Sequence, residues 1–122
     1  MQYIGIDIIE TARIKGAVAR WGDSFLSRIY TVRELEKYRK KPSSLAARFA
    51  GKEAVIKVLG LRSKGIGLKE IEILADAEGK PTVNLYGQAQ SQASQLGLDH
   101  LAVSLSHCRQ YAVACAAGQS AS

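Results

Sequence analysis

The stretch RFAGKEAVIKVLG, residues 48–60, places a carboxylate and an ammonium one helical turn apart beside a row of small residues. In a helix, Ala46, Ala50, Glu53 and Lys57 fall on one stripe, because residues three and four apart are neighbours on the helix surface. The two alanines leave space beside the charged pair. The ordinary interpretation is an exposed Glu to Lys pair worth about 0.3 to 0.5 kcal/mol. A functional interpretation requires a second acid elsewhere in the chain.

Such an acid lies in the middle of the predicted first strand, IGIDIIE at residues 4–10. Alternation places Ile4, Ile6 and Ile8 on one side and Asp7 on the other. A buried carboxylate is costly unless a cation or hydrogen bonds compensate, so the alternative is an edge strand with Asp7 facing water. Two carboxylates from separate elements, with waters and phosphate oxygens, make the oxygen-rich shell that Mg²⁺ prefers. Asp7 and Glu53 are therefore candidate metal ligands.

Helix signals dominate the first half of the chain. Thr11 is a predicted N-cap, TVRE at residues 31–34 predicts a capping box, and Ser43 is predicted to cap the longest helix, which ends at Gly60. The apolar face of the first helix carries Ile14, Ala17, Val18 and Trp21.

Strand patterns dominate the second half. The predicted elements are a hairpin of strands 69–75 and 81–87, a helix from about Gln88 to Leu96, a second hairpin of strands 100–106 and 110–116, and a fraying tail at 118–122. This order predicts an α+β fold in which a small antiparallel sheet packs with helices. A length of 122 residues predicts one domain, residues 1–122.

The chain is basic, with 17 Lys and Arg against 11 Asp and Glu, a formal charge of +6. An anionic partner is therefore favoured: nucleic acid, a phosphorylated small molecule or an acidic protein. Nucleic acid is disfavoured, because aromatic residues make up only 7% and do not alternate with basic ones.

No membrane span is expected, since no run reaches about 20 apolar residues. The N-terminus lacks the features of an export signal, which predicts a cytoplasmic protein with Cys108 and Cys115 reduced.

A third candidate segment is SLSHCRQ, residues 104–110. Ser104 and Ser106 share a strand face and His107 begins the turn. No acid is evidently set to orient His107 and the context of a nucleophilic serine is absent, so a phosphate-binding role is favoured over a catalytic triad. The loop LRSKGIG at 61–67 is a further candidate phosphate neighbour.

Taken in order, these segments resemble the holo-acyl-carrier-protein synthases, the small trimeric group of 4'-phosphopantetheinyl transferases. The resemblance rests on IGIDIIETARI at 4–14, RFAGKEAVIKVLG at 48–60, GIGLKEIEIL at 65–74, GKP at 79–81 and VSLSHCRQYAVA at 103–114. It implies transfer of the phosphopantetheine arm of coenzyme A to a serine hydroxyl of apo acyl carrier protein, with release of adenosine 3',5'-bisphosphate. It also implies a homotrimer.

The resemblance assigns roles to particular residues. Asp7 and Glu53 would hold Mg²⁺ on the coenzyme A pyrophosphate, and Lys57 and His107 would contact phosphate groups. The residues expected to line the same cleft are Lys52, Gly65, Gly67 and Ser106. The base for the serine proton is left open between Glu53 acting through a water and a metal-bound hydroxide.

Basic residues on the early helices are candidates for contact with acyl carrier protein, which is small and acidic. Arg13 is the first choice, because it lies inside the first matching segment, and Arg20 falls on the same helix face. Arg28 and Arg48 are further candidates. A competing function is a Mg²⁺-dependent pyrophosphate hydrolase that uses the same two acids, with water in place of the serine.

Overall fold

The computed structural model describes residues 1–60 and 65–121. Its strands and helices are β1 Gln2–Glu10, α1 Thr11–Trp21, α2 Asp23–Ile29, α3 Val32–Tyr38, α4 Pro42–Leu59, β2 Ile71–Ala75, β3 Pro81–Leu85, α5 Gly87–Leu96, β4 Leu98–His107 and β5 Tyr111–Ser120. A short 3₁₀ turn, Leu68–Glu70, precedes β2. The α+β class is confirmed, with the antiparallel strands divided between a three-stranded sheet of order β1-β5-β4 and a separate β2-β3 hairpin.

Helix α4 is the central element, because it covers one face of the three-stranded sheet. Small residues permit α4 to lie close to the sheet. The alanines at this contact are at most 1% exposed: Ala50 and Ala54 on α4, and Ala112, Ala114 and Ala116 on β5. At Gly5 a Cβ atom would lie only 2.0 Å from the carbonyl oxygen of Ala54. Glycine is therefore required where β1 passes under α4.

The opposite face of the sheet is uncovered by any described element. Ile4, Ile6 and Ile8 lie on it and are 68%, 60% and 63% exposed. Their register neighbours on β5 are Ala117, Cys115 and Val113. We call this surface the isoleucine face.

Local signals at helix ends were partly confirmed. The capping box of Thr31 and Glu34 is present, and α4 ends at Gly60, which has φ +84°. The predicted cap at Ser43 is wrong, because Pro42 opens α4 as its first residue. The predicted cap at Thr11 is also wrong: Thr11 is the first residue of α1, and its buried hydroxyl has no hydrogen-bond partner among the described residues.

Three further expectations need correction. Trp21 is 55% exposed rather than part of the buried face of α1. The predicted strand at 69–75 begins only at Ile71. Of the tail predicted to fray, 118–122, residues 118–120 instead belong to β5, and the Ser120 N–H donates to the Met1 carbonyl; residue 122 lies outside the described residues.

Candidate functional site

Asp7 lies at the centre of β1, on the sheet face that α4 covers. β1 is an edge strand, but the Asp7 side chain is only 20% exposed, because helix α4 lies over this face. The alternative that an edge-strand Asp7 simply faces water is therefore wrong. The close contact at Gly5 brings the strand and the charged stripe of α4 together.

Lys57 projects from α4 toward β1. Its Nζ donates to the carbonyl oxygen of Ile6 at 2.7 Å and lies 3.4 Å from Oδ1 of Asp7. The side chain is 53% exposed, so the ammonium is also open to a ligand. Lys57 is thus an accessible cation placed beside an acid, and not a buried structural charge.

Glu53 lies one turn before Lys57 on α4 and is half-buried. Burial raises the pKa of its carboxyl above the ordinary value, and the negative charge of Asp7 raises this pKa further, whereas the charge of Lys57 lowers it. The two acids therefore repel each other across the gap between helix and strand.

A divalent cation would relieve that repulsion, and carboxylate oxygens are the donors that Mg²⁺ accepts. Asp7 and Glu53 thus fit a metal site whose other ligands are waters and phosphate oxygens. Across residues 1–60 and 65–121, no group of three or more His, Cys, Asp and Glu side chains could hold a metal by itself.

His107 ends β4 and is exposed. Strand register places it on the α4 side of the sheet, in one row with Ala112 and Ile9. Ser106, by contrast, is paired with Val113 in the row of Ile8, on the isoleucine face. The prediction that Ser106 lines the same cleft as Asp7 is therefore wrong within a single chain.

Two basic residues predicted to face ligands are internal. The Lys52 side chain is fully buried and its Nζ lies 2.7 Å from Oε1 of Glu34, so the prediction that it lines an open cleft is wrong. Arg48 is also buried: it donates to the Ile73 carbonyl and the Tyr38 hydroxyl and stacks on the Tyr38 ring, which contradicts its predicted contact with a carrier protein. The sequence gave no information on which elements pack against these two residues.

The glycine loop is described only at its end. Gly65 and Gly67 are exposed, and Gly65 has φ +93°, a conformation that favours glycine. The Gly67 N–H donates to Oε2 of Glu70 at 3.1 Å. The rest of the predicted phosphate loop, residues 61–64, lies outside the described residues.

An apolar trough lies between the arginines of α1. Its cavity volume is about 470 Å³, and its lining comprises Ile9, Arg13, Ile14, Gly16, Ala17, Arg20, Trp21, Phe25 and Phe49. Arg13 and Arg20 are exposed on its border, and Arg28 lies at a smaller adjoining depression with Trp21 and Phe25. Sequence reasoning found the arginines but missed Phe25 and Phe49, because these come from α2 and α4 and only the fold brings them together.

Sequence reasoning also missed Glu72. Its carboxylate is 2% exposed and accepts hydrogen bonds from Thr31, Asn84 and Tyr86, with Arg33 at 3.4 Å. The alternating run KEIEILA gave no sign of this, since an acid at such a position ordinarily faces solvent.

Comparison with known proteins identifies the family. Residues 3–116 match the model of the 4'-phosphopantetheinyl transferase superfamily. The chain belongs to this superfamily. It is 57% identical over 119 residues to a holo-[acyl-carrier-protein] synthase from Dehalococcoides mccartyi, with 98% of this chain and 99% of the relative covered. As these relatives indicate, it is an enzyme of the phosphopantetheinyl transferase class.

Solved structures of this family share the fold. Helicobacter pylori holo-[acyl-carrier-protein] synthase in complex with coenzyme A aligns with a TM-score of 0.85 at 31% identity, covering 95% of this chain and 99% of that one. Plasmodium yoelii acyl carrier protein synthase with ADP bound aligns with a TM-score of 0.88 at 26% identity, covering 100% of this chain and 99% of that one. Among the described residues, no helix has the length and apolar character needed to cross a membrane.

Proposed function

We propose that this protein transfers the 4'-phosphopantetheine arm of coenzyme A to a serine hydroxyl of apo acyl carrier protein, with Mg²⁺ bound, releasing adenosine 3',5'-bisphosphate. The observation that carries the proposal is the convergence of Asp7, Glu53 and Lys57 between β1 and α4. Two repelling carboxylates and an accessible ammonium form a site for a metal-bound diphosphate. The names of the relatives support the same reaction.

The reaction joins the serine oxygen to the β-phosphorus and breaks the bond from that phosphorus to the bridging oxygen. The proton of the serine hydroxyl passes to a base, for which Glu53 acting through a water is the candidate on this chain. Negative charge then develops on the phosphate oxygens and on the departing adenosine bisphosphate. Mg²⁺, held by Asp7 and Glu53, would supply charge neutralisation of the diphosphate. Lys57 would leave the Ile6 carbonyl to contact a phosphate oxygen, and His107, on the same sheet face as Asp7, would contact a second phosphate group.

The trough between Arg13 and Arg20 is the proposed contact with the carrier protein. An acidic helix with apolar side chains on the same face would pair its carboxylates with the arginines and insert its apolar residues against Phe25 and Phe49. Charge complementarity of this kind raises the association rate and makes it dependent on salt.

We also propose a homotrimer in which neighbouring copies cover the isoleucine face. The side chains of Ile4, Ile6 and Ile8 are between 60% and 68% exposed. An apolar sheet face of this kind ordinarily packs against a partner. The two cysteines provide a test. Cys115 lies on the isoleucine face and Cys108 in the β4-β5 turn, and both are exposed in the single chain.

In the proposed assembly, a thiol reagent modifies Cys108 rapidly and Cys115 slowly. Sedimentation should give the mass of three chains, and Ile6→Glu should both dissociate the protein and expose Cys115. Equal reactivity of the two thiols in wild type, together with a monomeric mass, would contradict the trimer.

The central experiment is the intact mass of apo acyl carrier protein after incubation with the enzyme and coenzyme A. The carrier should gain the mass of one phosphopantetheine group in the presence of Mg²⁺ and none with a chelator. A carrier whose acceptor serine is replaced by alanine is the control. Release of adenosine bisphosphate with no gain in carrier mass would instead identify a pyrophosphate hydrolase.

A further inference from the structure

Lys52 lies at the centre of a buried charged contact between α3, α4 and the segment that enters β2. Its Nζ donates to Oε1 of Glu34 at 2.7 Å, to the Leu68 carbonyl at 3.1 Å and to the Ile71 carbonyl. An ammonium has three protons, so its donor capacity is fully used. The other oxygen of Glu34 accepts the Ile73 N–H at 2.8 Å.

Stability alone does not account for this arrangement. Burial lowers the pKa of the Lys52 ammonium and the charge of Glu34 opposes that effect, so the pair offsets a large desolvation cost. Well-packed apolar residues often stabilise a core equally well. What an apolar side chain cannot provide is the simultaneous hold on two backbone carbonyls.

Both carbonyls belong to the segment through which the chain enters β2. Leu68 is the first residue of the 3₁₀ turn, and Ile71 follows that turn as the first residue of β2. Gly65 and Gly67 immediately precede this turn. Lys52 itself is the residue before Glu53 on α4. One side chain therefore joins the end of the glycine segment to the helical turn that carries the proposed metal ligand.

We propose that Lys52 is a positioning residue that sets the separation between the Gly65–Gly67 backbone and Glu53. The role rests on the proposed function, since this separation would define the cleft that receives the diphosphate of coenzyme A. Lys52 acts through backbone carbonyls and does not touch the substrate. Glu34 holds the ammonium in place without itself contacting the two carbonyls.

Two single substitutions separate positioning from structural support. Lys52→Met removes the hold on Leu68 and Ile71, whereas Glu34→Gln removes the counter-charge and keeps that hold. Both should lower the melting temperature. Only Lys52→Met should raise the KM for coenzyme A and the dissociation constant of adenosine 3',5'-bisphosphate, on the order of tenfold, because a small displacement of binding groups is sufficient for such a loss.

The double variant Lys52→Met with Glu34→Gln guards against failure of Lys52→Met to fold. It leaves no buried unpaired charge, so its melting temperature should exceed that of Lys52→Met, while its KM stays raised. Recovery of the wild-type KM together with stability, or an equal rise of KM in both single variants, would show that Lys52 has a structural role only.

Hydrogen exchange in the absence of coenzyme A tests the hold independently of catalysis. Faster amide exchange at residues 65–71 in the double variant than in Glu34→Gln is the expected result, and equal exchange would overturn the proposal. Failure of the wild-type enzyme to load its carrier would reject the proposed function, a readout separate from the exchange comparison.

Discussion

The ammonium of Lys57 bridges helix and strand, 2.7 Å from the Ile6 carbonyl and 3.4 Å from Oδ1 of Asp7. Because the lysine is half-exposed, its ammonium can exchange these two contacts for a phosphate. Lys57→Met should therefore lower kcat/KM by about 100-fold, the usual effect of removing one group that stabilises developing charge. Lys57→Arg should retain part of the activity. Steady-state transfer kinetics at saturating Mg²⁺ measure both, and a Lys57→Met enzyme with wild-type kcat/KM would exclude this role.

The close approach of β1 and α4 should be intolerant of any side chain at Gly5. A Cβ atom there would lie 2.0 Å from the Ala54 carbonyl oxygen and 3.0 Å from the Lys57 Cβ, so strand and helix must separate. Gly5→Ala should destabilise the protein by about 1 to 3 kcal/mol and weaken Mg²⁺-dependent transfer. Denaturant unfolding and transfer assays measure the two effects.

Gly16→Ala is the matched control for Gly5→Ala. A Cβ atom at Gly16 meets nothing within 4 Å, and the residue lies inside α1. Alanine should stabilise the helix by about 0.5 to 1 kcal/mol. If both substitutions had the same effect on stability, the contact at Gly5 would not be the reason for glycine.

The metal-free protein should lose some stability as Glu53 ionises. Burial and the charge of Asp7 raise the pKa of Glu53, so folding favours the protonated carboxyl. Its contribution is present below the unfolded pKa and is lost as pH rises through the raised folded value. At neutral pH Glu53→Gln should thus be more stable than wild type in the presence of a chelator, by less than about 1 kcal/mol, because the group is half-exposed. A stability loss on this substitution would contradict the repulsion between the two acids.

Glu72 should behave in the opposite way. Burial opposes its ionisation, but hydrogen bonds from Thr31, Asn84 and Tyr86 and the charge of Arg33 outweigh this and hold its pKa below the ordinary value. Its stabilising contribution is present above the unfolded pKa and is lost as pH falls through the lowered folded value. The stability difference between wild type and Glu72→Gln should accordingly shrink on acidification, as measured by urea unfolding at several pH values. A difference independent of pH would show that the carboxylate charge is unimportant.

The arginines beside the trough should govern the KM for the carrier protein and not that for coenzyme A. Arg13→Ala and Arg20→Ala should each raise the carrier KM by about threefold to tenfold and flatten its salt dependence. Lys15→Ala, an exposed charge on the same helix but outside the trough lining, is the control. An equal effect of Lys15→Ala would reduce the role of the arginines to net charge.

Local features of the fold were predictable from the sequence. The capping box of Thr31 and Glu34 and the left-handed Gly97 after α5 depend on neighbours within a few residues. The pairing of β1 with β5 joins the two ends of the chain and is not encoded locally. Alternation correctly separated Asp7 from the isoleucines but did not reveal that α4 covers the side of the acid.

The site residues that the family resemblance assigns to metal and phosphate binding were predictable. Which of the neighbouring side chains are buried in the fold was less predictable. Asp7, Glu53 and Lys57 lie together because small residues allow β1 and α4 to approach. The interior position of Lys52 depends on Glu34 of α3 and on the carbonyls before β2, which are distant in sequence. A basic residue inside a family motif therefore gave no local sign of its buried partner.

The binding of Mn²⁺ in the presence of coenzyme A, followed by electron paramagnetic resonance, tests most directly whether Asp7 and Glu53 share one divalent ion. Wild type should bind one Mn²⁺ per active site with coenzyme A present, and Asp7→Asn and Glu53→Gln should each lose that ion along with carrier loading. Mn²⁺ affinity and carrier loading that are unchanged in both variants would contradict the account.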